Sequence, residues 1–223
     1  MRSIDRRYAR TVALLDLDPD QLLSTTRAVR KRLDFGRPVP DELIRECVAM
    51  ALQAPSGSNI VTMRFAVVTE PAKIAAIGTI YREVYAGYKA SPGYAGSHPA
   101  TGARALTQAR VASSADYLGE HMGEAPVLVI ACNEGRDRES AVGGIGNVLP
   151  GAWSFMLAAR ARSLGTVWTT MHVSRETDVA DVLGIPYETV AQAVLTPVAF
   201  TNGTDFKPAA RPAPDDVTHW NTW

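Results

Sequence analysis

Several things are missing from this chain, and each absence narrows what it can be. Only two cysteines occur, Cys47 and Cys132, far apart and each inside an apolar run. Such spacing gives no disulfide framework, and both read as reduced core residues of a cytosolic protein. There is no excess of either charge: Lys+Arg and Asp+Glu are both 23, for a net charge of +0. Without a global field, neither nucleic acid nor an anionic membrane is an expected partner. No stretch reaches the roughly 18 consecutive apolar residues of a membrane-spanning helix. Residues 1–10 are Arg-rich but lack the apolar core of a secretory signal, so the cytoplasm is the expected location. The four histidines form no HExxH or closely spaced Cys/His pattern, which leaves no metal site to expect. There is no GxSxG elbow, and the glycine-rich run Gly143-Gly144-Ile145-Gly146-Asn147 lacks both GxGxxG spacing and a GK[ST] ending, and reads as a flexible loop. No residue set performs acid–base or nucleophilic catalysis in an obvious way. An enzyme of this composition carries its chemistry in a cofactor.

What is present is a folded globular composition, 46% hydrophobic and 21% charged over 223 residues, enough for one generous domain. Asp18-Pro19 opens a helix running to about Thr26, since Asp caps well and Pro suits the first turn. Pro40-Asp41 opens a second, in which Leu43, Ile44, Cys47, Val48, Ala51 and Leu52 recur at helical spacing, and it stops at Ala54-Pro55. Residues 64–69 read as a strand, 71–88 as a helix, 89–104 as a loop, and 104–122 as another helix. Residues 125–132 are continuously apolar and read as a strand buried on both faces. Residues 133–149 read as a second loop. A helix over 150–163, with Trp153, Met156, Leu157 and Ala161 as its buried face, precedes a short strand at 166–172. A helix over 175–183, stopped by Gly184 and Pro186, and a strand over 190–200 complete the pattern. The tail, 201–223, has no core pattern. Helices and strands mix without strict βαβ alternation, so the fold class is α+β. Residues 1–17 read as an arm and 18–223 as one domain.

The organising stretch is Arg27-Ala28-Val29-Arg30-Lys31-Arg32-Leu33-Asp34, answered by the small-residue turn Pro55-Ser56-Gly57-Ser58-Asn59. A basic run is ordinarily a solvated face. Here the alternative is a local site for an anionic ligand, with guanidiniums for a phosphate and Ser/Asn for a polar remainder.

Taken together, several stretches resemble the FMN-dependent nitroreductase family, in detail an actinobacterial branch of it. They are Arg27 to Arg30 followed by Pro38-Val39-Pro40, Ala54 to Asn59 leading into Arg64-Phe65, Leu157 to Thr166, Val179 to Pro186, Lys207 to Pro212, and Thr218-His219-Trp220. The resemblance covers about residues 20–223. It implies a nitroreductase-like fold, a mostly antiparallel central sheet flanked by helices, in an intertwined homodimer with two FMN at its interface. It implies that Arg27 binds the phosphate or ribityl chain and that Arg30 lies near the N1/O2 edge of the ring, where a cation stabilises negative charge. Ala28 stands where the family has Ser, so only its backbone serves. Pro55, Ser56, Gly57 and Asn59 would reach FMN from the other subunit. Trp168, Thr169, Thr170 and Met171 would pass the ring near N5, and Arg211 with Lys207 would close on the phosphate. Val61-Thr62-Met63 replaces the family's Gln-Pro-Trp, and Trp153-Ser154 its Gln-Asn pair. The implied activity is hydride transfer from NAD(P)H to flavin N5, then ping-pong reduction of a small-molecule acceptor such as a nitroaromatic or quinone. Alternatives are a non-catalytic flavin-binding, storage or sensing protein, and a flavin-dependent dehydrogenase or dehalogenase of a specific metabolite.

Overall fold

The structure is a computed structural model and describes residues 12–97 and 101–223. Most of the expected arm, residues 1–11, and residues 98–100 of the expected 89–104 loop lie outside the described residues. The elements follow as α1 (Pro19–Thr25), β1 (Leu33–Asp34), α2 (Asp41–Ala51), β2 (Met63–Val68), α3 (Pro71–Lys89) and α4 (Gly102–His121). Then come β3 (Val127–Glu134), α5 (Arg138–Gly143), α6 (Leu149–Ala161), β4 (Leu164–Thr166), α7 (Glu176–Leu183) and β5 (Val190–Thr201). The sheet runs β1-β5-β3-β2, with β4 also on β5, and every named pairing is antiparallel. The α+β expectation therefore holds. Among the described residues no helix is long and apolar enough to cross a membrane.

The two-residue period of β3 explains the layering. Leu128, Ile130 and Cys132 pack on one face, with Ile74, Ile77 and Tyr81 of α3, Leu118 of α4 and Val179 of α7. Val127 and Val129 pack on the other, with Leu43 and Cys47 of α2 and Phe155 and Ala159 of α6. Both faces of β3 are covered, which is why it reads as a continuous apolar run. A buried ion pair crosses the second layer, where Arg162 Nε donates to Glu46 Oε2 at 2.7 Å. Cys47 and Cys132 are free and buried, one in each layer, and burial pushes both thiols up to about 12.

Three local readings need correction. The stretch 133–149 is not all loop, because it holds α5 and a 3₁₀ turn at Ile145–Asn147. Asp137 caps α5 by accepting from the Ser140 N–H at 2.8 Å, and Ser140 Oγ accepts in return from the Asp137 N–H at 3.1 Å. That reciprocal box needs no long apolar run. The buried face of α6 is made of Ala152, Phe155, Met156, Ala158 and Ala159, whereas Trp153 is 37% exposed. Small residues let α6 approach α2 closely: a Cβ added at Gly151 would stand 3.2 Å from the Ala51 carbonyl and overlap Met63. The strand expected at 166–172 ends at Thr166, and Met171–Arg175 is a 3₁₀ turn. Thr166 faces Val198 and Thr169 faces Leu195, a register that sets Val167 opposite Pro197. Pro197 has no N–H to donate at that rung, so the ladder is interrupted there.

Candidate functional site

After α1 the chain runs extended along the sheet edge. Ala28 bridges Thr166 in parallel, and the Val29 N–H donates to the Thr166 carbonyl at 2.8 Å. Val29 is buried against Leu33 and Ala199. That anchor fixes the two flanking arginines. The Arg27 guanidinium donates to the Lys207 carbonyl oxygen at 2.7 Å, tying the start of the domain to its tail. Lys207 thus meets Arg27 through its backbone and not its ammonium group.

Arg30 lines a different surface. It borders a cavity of ≈ 230 Å³ with Tyr81, Tyr85 and Tyr88 of α3 and the stretch Trp168 to Met171. The Trp168 to Met171 stretch is held there by Thr169, which exchanges backbone hydrogen bonds with Leu195 (2.9 and 3.1 Å). Thr169 Oγ1 also lies 3.1 Å from the Tyr81 hydroxyl. Arg30 Nη1 has a long contact of 3.4 Å to Ser114 Oγ, and the lining contains no carboxylate. Burial pushes the Arg30 pKa below the ordinary arginine value, and the neighbouring tyrosines act in the opposite sense. Arginine nevertheless stays charged, so the cavity carries one fixed cation among aromatic rings.

Three tyrosines of this lining stand outside the sequence expectations. Their spacing of four and three residues is a helical stripe, and that signal was available. They continue outward as a ladder of rings: Tyr81 and Tyr85 are 6.3 Å apart, Tyr85 and Tyr88 5.6 Å, Tyr88 and Tyr94 5.8 Å. Asp116 of α4 accepts from the hydroxyls of Tyr85 and Tyr94, both at 2.9 Å, and Lys89 lies 3.4 Å away. Desolvation pushes the Asp116 carboxyl up, but the hydrogen bonds from Tyr94, Tyr85 and Lys89 together outweigh it and hold the carboxyl below its usual range.

The remaining candidates lie elsewhere in the chain. Gly57–Asn59 forms a 3₁₀ turn in which Ser58 (φ 54°) and Asn59 (φ 57°) occupy the left-handed region. Left-handed non-glycine residues store strain and cluster at ligand sites. Pro55, Gly57 and Asn59 are exposed, and Ser56 lines a small recess with Thr62, Met63 and Asn147. That recess shares no lining residue with the Arg30 cavity. Arg211 is exposed on the extended tail. A wider groove of ≈ 490 Å³ lies between α2 and β2, lined by Ile44, Val48, Leu52, Phe65 and Val67, and it contains none of the candidate residues.

The layered α+β fold with its antiparallel sheet is shared by solved structures. The chain superposes on FMN-dependent nitroreductase NfnB from Mycobacterium smegmatis, crystallised with NADPH, with TM-score 0.64 and 17% identity, covering 91% of this chain and 97% of that one. It superposes on an iodotyrosine deiodinase bound to FMN and 3-iodo-L-tyrosine with TM-score 0.67 and 21% identity, covering 91% and 98%. For the NADPH:FMN oxidoreductase of Vibrio harveyi, complexed with NAD+, the values are TM-score 0.64, 17% identity, 91% and 76%. No curated protein sequence matches the chain significantly. The sequence profile of the Nitroreductase family matches residues 23–198, and the chain belongs to that family.

Proposed function

We propose that this chain is an FMN-dependent oxidoreductase that takes hydride from NAD(P)H and, in ping-pong fashion, reduces a nitroaromatic or quinone-like acceptor. The observation that carries the reading is the cavity in which Arg30, the tyrosine stripe of α3 and Trp168 to Met171 come together, three residues along the chain from Arg27 and its grip on the tail. FMN, when bound, supplies the hydride-accepting centre. The protein's residues do the rest. Arg30 and the 168–171 backbone would hold and polarise the ring, and a fixed cation there favours added negative charge. Arg27, with Lys207 and Arg211, would hold the phosphate. Residues 18–223 would form the single flavin domain, with 1–17 as an arm.

At ≈ 230 Å³ the cavity lies below the 300–1,000 Å³ common for ligand pockets. A homodimer accounts for this, with Pro55 to Asn59 of a second copy completing the site. It also accounts for why that strained turn contributes nothing to the lining of the Arg30 cavity within one chain. The test is a visible spectrum of protein incubated with FMN and desalted, followed by anaerobic NADPH or NADH. Expected are a bound-flavin spectrum, bleaching by one donor, and recovery on adding a nitroaromatic. Protein that stays colourless sinks the reading, and bound flavin that neither donor bleaches leaves a flavin-binding protein.

A second reading is reductive dehalogenation of a haloaromatic, in which two electrons and a proton replace carbon–halogen by carbon–hydrogen and release halide. The phenol-lined, singly cationic cavity favours it, since a halophenolate matches that lining. Halide release from a halophenol under reducing conditions separates it from the first.

A further inference from the structure

Arg160 closes the last turn of α6 and is 4% exposed. Guanidiniums are almost never that buried without a counter-ion. This one has none among the described residues. Its Nη2 donates to the Thr204 carbonyl at 2.9 Å and, at 3.4 Å, to Thr25 Oγ1, while Nε and Nη1 have no partner among the described residues. Its Cζ stands 4.9 Å from the centre of the Phe206 ring, and Arg32 lies over the same ring at 4.2 Å. Burial first, and then the charge of Arg32, push the Arg160 pKa down.

These contacts share one target. Arg32 Nε donates to the Asn202 carbonyl (2.9 Å) and Nη2 to Asp205 (2.6 Å), Arg160 to Thr204, and Arg27 to Lys207. Three arginines, two from the 27–32 segment and one from α6, therefore hold the six residues 202–207. With Lys207 they bring four cationic side chains, against one carboxylate, Asp205, which is 86% exposed. A clamp alone does not require this arrangement. An apolar side chain of similar volume would hold a buried position at lower cost than an unpaired guanidinium. What the arginine adds is fixed positive potential beneath the tail, in a medium where charge is poorly screened.

We propose that Arg160 is a positioning residue for a phosphomonoester: it fixes Thr204 to Lys207 against the Arg27 segment, and its uncompensated buried charge is answered by the phosphate of FMN. The proposal rests on the FMN reading above. Because its nitrogens are buried, Arg160 acts through the tail and through its field, and Arg27 and the tail make the contacts.

The test compares wild type, Arg160→Met and Arg160→Lys in two measurements. One is thermal melting with and without saturating FMN. The other is titration with FMN and with riboflavin, which lacks only the phosphate, followed by flavin fluorescence. For Arg160→Met without flavin, the melting temperature should be unchanged or higher. Its FMN affinity should fall about tenfold or more, which is about 1.4 kcal/mol, with riboflavin affinity unchanged. FMN should also raise its melting temperature less than it does in wild type, and Arg160→Lys should recover part of the loss. Equal weakening of FMN and riboflavin, unchanged FMN affinity, or a Met variant that fails to fold while the Lys variant folds each make Arg160 a structural staple and overturn the proposal. Wild-type protein that binds neither flavin overturns the FMN reading itself, and that result is distinct from all three.

Discussion

His172 offers a quantitative test of how this fold responds to acid. It sits in the 3₁₀ turn Met171–Arg175, directly after the stretch that lines the Arg30 cavity, and is fully buried. Neither ring nitrogen has a partner among the described residues, and burial pushes its pKa down to about 4. In the unfolded chain a histidine titrates near 6.5. Between those values the unfolded state binds a proton that the folded state refuses, so stability rises with pH there and is lost on acidification. The gap of about two and a half pH units, at about 1.4 kcal/mol each, is worth about 3 kcal/mol, fully present above pH ~6.5 and fully lost below pH ~4. Carboxylates with lowered pKa, such as Asp116 and Asp205, also lose their contribution as pH falls, so the wild-type curve alone does not isolate the histidine. Urea melts of wild type and His172→Leu from pH 4 to 7.5 do. The stability difference, variant minus wild type, should grow by about 3 kcal/mol as pH falls from 7 to 4. A difference that stays flat across that window would falsify the assignment of a buried, proton-refusing imidazole.

Three further outcomes follow from the packing and the site. Arg162→Met removes the buried 2.7 Å charge-assisted bond to Glu46 and should lower stability by about 1.5–3 kcal/mol in urea melts; a melt unchanged from wild type would show that the pair contributes nothing. Gly78→Ala sets a methyl group into the Gly123 backbone, where α3 crosses the turn before β3, and should lower stability by about 1–3 kcal/mol, against a near-neutral Gly87→Ala whose Cβ meets open space. Arg30→Met and Arg211→Ala should both weaken FMN binding, each by about 1.5–3 kcal/mol if a charge-assisted contact is lost. The Arg30 change should weaken riboflavin as well, the Arg211 change only FMN, and a reversal of that pattern would show the ring and phosphate assignments to be exchanged.

Much of this architecture is legible in the chain because its signals are local. Asp18-Pro19 starts α1 where expected, with Asp18 and Gln21 in reciprocal capping bonds of 2.7 and 3.0 Å. Gly184 stops α7 in the left-handed conformation, φ 69°. The apolar run of β3 follows from cover on both faces. What escapes is set by partners distant in sequence. The β-branched run Thr166, Val167, Thr169 and Thr170 has strand propensity throughout, but a proline thirty residues on decides how much of it pairs. Trp153 looks like a core residue until the small face of α6 is seen against α2. The site divides in the same way. Of the candidate residues, Arg27, Arg30 and Trp168 to Met171 stand in stretches that resemble the family in order and spacing. The tyrosine stripe of α3 shows in the sequence as a four-and-three spacing. Arg160 carries no signal at all, because only the fold decides that a charged residue among alanines points into the protein.

The placement of the two thiols has a practical consequence. Cys47 belongs to the layer of α2 and α6, and Cys132 to that of α3, α4 and α7. Neither is reactive while its layer is shut, since labelling needs an exposed thiolate. Rates of alkylation in Cys47→Ala and Cys132→Ala proteins therefore time the breathing of each half separately. They tell whether ligand-induced tightening spreads through the whole body or stays on the side where the tyrosines stand.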